Sequence, residues 1–528
     1  MAEFKSPPEN RNQIVLFPEK LDDAISPDHP VRLLDDILRQ IDWSAWEAKY
    51  VLVRGQPPIH PRVIASVILY GILKRIRTTR ALEEAIEVRL DFRWLCSGQR
   101  IDHSTISKFR ITHKDLIKGL FVQVALIAQQ IGRLTLQTLG FDGTKIKANN
   151  RRSGSRTPKE LQAAKEALTK QFEHIQAQIE LADKKDLEGG GTDEGQRLNK
   201  ELLDVGNRKS KIETAVLEIE NLEKQGEKVP DRIPTTDPQS RINPNKEGGF
   251  APNYTPTVTV DIDSGMIVGT DVHSSAVEEK FMIPQVDQVV AAFSMKAPPK
   301  ELLADGLMCS GENLAACKER KIDFYSPIKV NVDSSNPAIR EDLTKPVPNE
   351  MLGNLPILRI KHADGTTTTQ FHKNAFVYDA EKDIYWCPNG KSLSSQHKTS
   401  EVENNRTRIR FRYACDPSVC SGCPMKDKCI SGSSPRRTIN HEQHEELRQE
   451  HAKKMTKAES KTKYSRRRHS GERPFAVIKQ HFGARQFLTR GLKRVECEWS
   501  WLVASFNLKQ LMGILQGGTG PPLGPLAS

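Results

Sequence analysis

Apolar and polar positions along this chain repeat with two different periods, and the switch between them divides it. From residue 21 to 130 the period is helical. Pro30 to Ile41 and Pro61 to Ile76 each carry apolar residues three and four apart, with a Pro-rich break at Gly55-Gln56-Pro57-Pro58 between them. Arg80 to Ile86 is a further amphipathic segment, and Asp102 caps a short basic helix that includes His103, Lys108 and Arg110. Short helices with tight turns suit a DNA-contacting helix-turn-helix-like module, and equally an ordinary helical bundle.

At Leu134 the period becomes two. Leu134 to Phe141 alternates, reaches Asp142-Gly143 and resumes to Lys147, which predicts a β-hairpin with an aspartate closing its first strand. Thr257–Asp261 and Met266–Val272, split by Asp263-Ser264-Gly265, predict two more strands. Glu301 to Asp305 reads as a short buried strand that again finishes on an aspartate. A helix (Glu312 to Lys321) and a strand (Ile322 to Tyr325) follow it, so the expectation is a mixed α/β core.

Two insertions interrupt this core. In the first, residues 157–226, Thr157, Pro158 and Glu160 form a capping box, and two apolar stripes flank Gly189-Gly190-Gly191. One runs through Leu161, Leu168, Phe172, Ile175 and Ile179, the other through Leu198, Leu202, Val205, Ile212 and Ile219. This predicts a helical hairpin or short coiled coil. The second insertion, residues 330–450, holds most of the cysteines. The Gly/Pro-rich tail, residues 516–528, reads as disordered.

Length and charge refine the picture. A chain of 528 residues implies three or four folding units at about 150 residues each. No run approaches the roughly 18 apolar residues of a membrane span, and Met1-Ala2-Glu3-Phe4-Lys5 lacks a secretory layout, so an intracellular, non-membrane protein is expected. Lys and Arg total 79 against 67 acids, a net +12. Lys453 to Arg494 contains fourteen of those cations and only Glu459 and Glu472 as acids, which accounts for the whole excess. A local basic segment in an otherwise neutral chain points to a polyanion such as nucleic acid.

Cys415, Cys420, Cys423 and Cys429 follow a C-x4-C-x2-C-x5-C pattern. In a reducing compartment such a cluster favours structural Zn²⁺ in a closed tetrahedral site, with a redox pair or an unliganded cluster as alternatives. Cys387 is a spare candidate ligand, whereas Cys96, Cys309, Cys317 and Cys497 read as buried small hydrophobes.

Strand-end aspartates beside a polyanion-binding segment raise phosphodiester chemistry, which needs carboxylates from separate elements around hard divalent ions. Asp142 and Asp305 are two candidates. Glu472, between the cap Ser470 and Pro474 of a predicted helix start, is an isolated acid among cations. Lys479 is expected about two helical turns further along the same face.

Arg468, Glu472 and Lys479 have the spacing of the Arg-Glu-Lys part of the Tyr-Arg-Glu-Lys signature, and in this the chain resembles bacterial insertion-sequence DDE transposases. Phe482-Gly483-Ala484-Arg485, Leu488 to Leu492, Glu498 to Trp501 and Asn507-Leu508 are similar to that family's C-terminal block. Asp102 to Ile106 with Phe109-Arg110 is similar to its N-terminal domain, and Phe141 to Lys145 and Ala304 to Gly306 to its aspartate motifs. Two departures stand out: position 465, where the signature has tyrosine, is Ser465, with Tyr464 one residue early, and Pro252-Asn253-Tyr254 differs in order from the usual Tyr-Asn.

The resemblance implies an α/β, RNase H-like (retroviral integrase-type) catalytic core with an N-terminal all-helical domain, an inserted helical hairpin and an inserted zinc-binding module. The implied domains are 1–130 for DNA ends, 131–156 with 227–329 and 451–515 for the core, 157–226 and 330–450 for the insertions, and 516–528 for the tail. Asp142, Asp305 and Glu472 would hold two Mg²⁺ ions, for which Mn²⁺ can substitute. The implied reaction is cleavage at transposon ends, then joining of the 3′-OH to target DNA; a nuclease that cuts without joining and an inactive DNA-binding derivative are the alternatives. Arg467, Arg468, Lys479, Arg485, Arg490, Lys493 and Arg494 would bind DNA, as would His103, Lys108 and Arg110. Partners would be terminal inverted repeats and target DNA, held by a homodimer or larger assembly in the bacterial cytoplasm at the nucleoid.

Overall fold

The computed structural model describes residues 20–50, 57–187, 194–244, 248–275, 277–328, 336–361, 367–403, 406–430, 434–470 and 472–517. The chain forms two compact units. Among the described residues no helix is long and apolar enough to cross a membrane.

The first unit comprises residues 1–134, 474–488 and 493–528. Its helices include Pro30–Arg39, Pro61–Leu73, Thr79–Val88, Leu90–Leu95, His103–Thr112 and Ile117–Gln130. Asp102 caps its helix as the sequence implies, its Oδ1 accepting the Thr105 amide at 2.7 Å, and Thr78 Oγ1 likewise accepts the amide of Ala81. The unit also takes up most of Leu492–Gly517, a helix at residues expected in the catalytic core and given no predicted element. Val495, Trp499, Trp501, Leu502, Phe506 and Leu508 bury several sides of this helix, so it lacks a one-sided stripe. Trp501 lies near Trp46 and Phe109, and the Asn507 amide donates to the Phe121 carbonyl at 3.2 Å. The helix ends at Gly517, and the rest of the expected tail lies outside the described residues.

The second unit, residues 135–473 and 489–492, is built on one mixed sheet. Its main strands are β1 (Thr138–Gly143), β2 (Phe250–Asp261), β3 (Ile267–His273), β4 (Glu301–Ala304) and β5 (Asp323–Tyr325). They lie in the order β3-β2-β1-β4-β5; the first two pairings are antiparallel, and β1 with β4 and β4 with β5 are parallel. This order and polarity are consistent with an RNase H-like core. Helices α1 (Pro158–Leu187), α2 (Glu194–Lys224), α3 (Met282–Ala292), α4 (Gly311–Glu319), α5 (Glu445–Thr456) and α6 (Ala458–Ser465) complete the elements used below.

The predicted hairpin at Asp142-Gly143 does not form. In antiparallel pairing with β2, Asp142 faces Val258 and Gly143 faces Thr257, and in the same register Ile146 faces Tyr254 and Lys147 faces Asn253. The chain therefore runs straight on along one partner strand, and Asp-Gly lies within an extended run instead of turning it. β2 itself is buried on both faces, and its inward hydroxyls need partners. Gln285 of α3 supplies them, accepting from Thr257 Oγ1 at 2.7 Å and donating to Thr259 Oγ1 at 3.0 Å.

The first insertion is the expected helical hairpin. Thr157 and Glu160 cap each other reciprocally, at 2.8 and 3.2 Å. Leu161, Leu168 and Ile175 of α1 pack in one cluster with Leu198, Val205 and Ile212 of α2. The triple-glycine connection lies outside the described residues. The second insertion carries an antiparallel sheet, Val377–Asp379, Ile384–Trp386, Ser392–Glu403, Arg406–Ala414 and Thr438–Glu442, each strand pairing with the next.

Candidate active site

The parallel pairing of β1 with β4 sets Phe141 opposite Ala304. Asp142 is the next residue on β1, and Asp305 is the first residue past the end of β4. Asp305 begins a short turn, its Oδ1 accepting the Leu307 amide at 2.9 Å while its carbonyl accepts from Ser326 Oγ at 2.6 Å. Asp142 is buried, 9% exposed. Burial pushes its carboxyl up to about 6; Arg467 and the Gly143 amide oppose this, while Asp305 and Glu278 add to it by repulsion.

Glu278 is an acid the sequence does not single out. Gly143 makes room for it: a Cβ there would stand 2.3 Å from its carboxylate oxygen. Its partner is Lys145, 2.8 Å away. No motif marks Glu278, since only the fold brings it to Asp142.

Asp261 provides a contrast. It too is a buried strand-end aspartate, yet its oxygens accept the Leu136 amide and the amide and hydroxyl of Ser264, at 2.7 to 2.9 Å. It is a turn aspartate, whereas Asp142 faces other charges.

Arg467 links the site to the third acid. Its Nη2 lies 3.0 Å from Asp142 Oδ1 and its Nη1 3.6 Å from Glu472 Oε1. Tyr464, on α6, is within hydrogen-bonding reach of Arg467 and close enough to Asp142 and Asp305 for their charges to raise its pKa, although burial contributes most. Its ring packs with Ile262, Leu303, Tyr325 and Met455. Glu472 is largely exposed and precedes a four-residue helix, Arg473–Ala476, that passes into a π-helical turn, Val477–His481. The wider π winding removes the regular spacing on which the expected shared face of Glu472 and Lys479 depends.

The basic run does not act as one surface. Lys454 pairs with Asp323, Lys463 with Glu301 at 2.8 Å, and Arg466 with Asp263. Arg467, expected at the DNA, is buried against Asp142. Arg110, also expected there, is half-buried, and desolvation lowers its pKa. His103 pairs with Glu83 at 2.8 Å, Arg490 donates to the Asn149 carbonyl at 2.8 Å, and Arg485 donates to Gln480. Lys479 is half-buried, whereas Lys108, Arg468, Lys493 and Arg494 are exposed.

Carboxylate oxygens suit Mg²⁺ or Mn²⁺, and a cation would offset the burial that raises Asp142 and the lesser repulsion from Asp305 and Glu278. In the second insertion Cys387, Cys415, Cys420, Cys423 and Cys429 join one apolar cluster. Cys415 is pushed up to about 12 by burial and by its hydrogen bond with Cys420. Among the described residues, however, no group of three or more His, Cys, Asp or Glu side chains stands close enough to hold a metal ion. Neither the carboxylates nor the thiols are drawn together as a finished ligand set. Cys96, Cys309 and Cys317 are buried as expected, and Cys497 is half-buried.

Fold and site thus define a mixed α/β protein whose sheet is consistent with an RNase H-like core, with Asp142 near the end of one central parallel strand and Asp305 just past the end of the other. Residues 386–512 match the family model described as Transposase DDE domain, and residues 19–112 match that described as Transposase domain (DUF772). Together the two matches support an insertion-sequence DDE transposase. The first match includes Glu472 and lies beyond Asp142 and Asp305 in sequence. No curated protein matches the chain.

Proposed function

We propose that this transposase cuts transposon ends and joins the freed 3′-OH to target DNA, with Asp142, Asp305 and Glu472 as the essential acids. The observation that carries the reading is the adjacency of Asp142 and Asp305 on paired parallel strands, with Glu472 tied to Asp142 through Arg467. Two bound Mg²⁺ ions would supply water activation and stabilisation of the leaving 3′ oxygen. Asp142 and Asp305 would hold them from a rigid sheet, and Glu472 from a more exposed segment. Exposed Arg468, Lys493 and Arg494, with Lys108 on the N-terminal helices, would neutralise backbone phosphates of the terminal repeats and target. Paired ends would engage at least two copies of the chain. A plasmid assay with a donor end and Mg²⁺ tests the reading: joined product supports it, cut ends without joining reduce it to a nuclease, and neither product refutes it.

For the second insertion we propose structural Zn²⁺ on Cys415, Cys420, Cys423 and Cys429, with Cys387 as the alternate ligand. The shared cluster of five thiols supports this, because deprotonation on a metal would replace the cost of packing them together.

A further inference from the structure

Arg467 holds an unusual position. Its side chain is 10% exposed, its two terminal nitrogens face Asp142 and Glu472, and its Nε is buried without a hydrogen-bond partner. An arginine cannot shed its charge in place. A divalent cation approaching the same two carboxylates would meet a fixed positive charge within a few ångströms. Either the guanidinium leaves or the cation does not bind.

The surroundings allow it to leave. Arg467 and Glu472 line a cavity of about 710 Å³ together with Pro327, Ile328, Tyr464 and Arg468. The unpartnered Nε means that departure breaks the two ion pairs and the contact with Tyr464 but costs no hydrogen bond at Nε. Glu472, 62% exposed, has its pairing with Arg467 as the tie that brings it toward Asp142.

We propose that Arg467 is an internal counter-cation that keeps the place of the divalent metal, joining Asp142 to Glu472 until metal binding displaces its guanidinium toward the adjoining cavity. This rests on the reading of Asp142 and Glu472 as metal ligands. Arg467 is then a positioning residue: it preassembles the acidic pair and sets how much metal is needed to load it.

The test is Mn²⁺ binding to the full-length chain without DNA, followed by electron paramagnetic resonance of the free ion. Arg467→Gln removes the competing charge and is expected to tighten Mn²⁺ binding roughly tenfold. Arg467→Lys keeps a charge but is too short to span both carboxylates, so it should fall between wild type and the Gln variant; it carries the test if the Gln variant does not fold. Unchanged or weaker binding in the folded variants overturns the proposal. Asp142→Asn separates the two ideas. If it leaves Mn²⁺ binding intact, the metal-ligand reading fails and the counter-cation role with it. If it abolishes binding while the Arg467 variants bind no tighter than wild type, the counter-cation role alone fails.

Discussion

Asp142 and Asp305 are each the first residue past a facing pair, Phe141 and Ala304, on adjacent parallel strands. Sheet pairing sets the Asp142 backbone, and the end of β4 with the bond from Ser326 to its carbonyl sets that of Asp305, so removing either carboxyl should disturb chemistry more than fold. Asp142→Ala, Asp305→Ala and Glu472→Ala are each expected to lower Mg²⁺-dependent end cleavage by more than roughly 10⁴-fold, as when one member of a catalytic unit is lost. Mobility-shift affinity for an end-containing duplex should change only a few-fold. Normal cutting by any one variant would exclude that residue from the triad.

The division of the basic run between internal pairs and exposed cations leads to a salt-dependence prediction. Lys493 and Arg494 are exposed. Replacing either with Ala should flatten the slope of log affinity against log salt by about 1 and weaken binding to all duplexes alike. Lys463, paired with Glu301, should behave differently: Lys463→Ala leaves the salt slope in place and costs at most about 1 kcal/mol of stability. Equal slopes for wild type and the Lys493 and Arg494 variants would remove those residues from the DNA interface.

Much of this was legible in the sequence because local signals and tertiary structure agree. Strand periodicity located β1 to β5, and caps located the helices at Asp102 and Thr157. The misreading at Asp142-Gly143 has a physical cause. Asp-Gly favours a turn when nothing else constrains it, but here β2 pairs with residues on both sides, and Gly143 serves to admit Glu278. The helical state of Leu492–Gly517 is not legible in the sequence because the helix is buried on several sides and shows no single apolar stripe. Of the candidate site, the strand ends point to Asp142 and Asp305 and the motif spacing to Glu472, as proposed above. The place of Arg467 could not, since its neighbours Arg466 and Arg468 have the same chemistry and only the winding after α6 decides which one turns inward.

The cysteine module gives a compositional prediction. The wild-type chain is expected to carry one zinc per molecule by atomic emission, and a chelator that removes it should lower the thermal midpoint. Cys420→Ser combined with Cys423→Ser should lose the metal and destabilise the insertion. Zinc content and folding unchanged by the double substitution would return these thiols to a purely apolar packing role.

Stability should also respond to pH through buried histidines. His451 Nε2 contacts the Ser326 carbonyl at 2.8 Å, and burial holds its pKa below the usual 6.5, outweighing that hydrogen bond, which acts in the opposite sense. His441, 3.0 Å from the Tyr385 hydroxyl, is likewise lowered mainly by burial. Both are neutral in the fold yet take up protons readily when unfolded. The unfolded chain therefore binds more protons below about pH 6.5, and stability rises with pH wherever that holds. The contribution is complete above the unfolded value and is lost as pH falls through it toward the lower folded value. Calorimetry should record a lower midpoint at pH 5.5 than at pH 7.5, by about 2–4 °C for each kcal/mol lost. His451→Gln keeps a donor near Ser326 and cannot titrate, so its midpoint should fall less over the same interval. An equal fall in variant and wild type would exclude His451 as a source of the pH dependence.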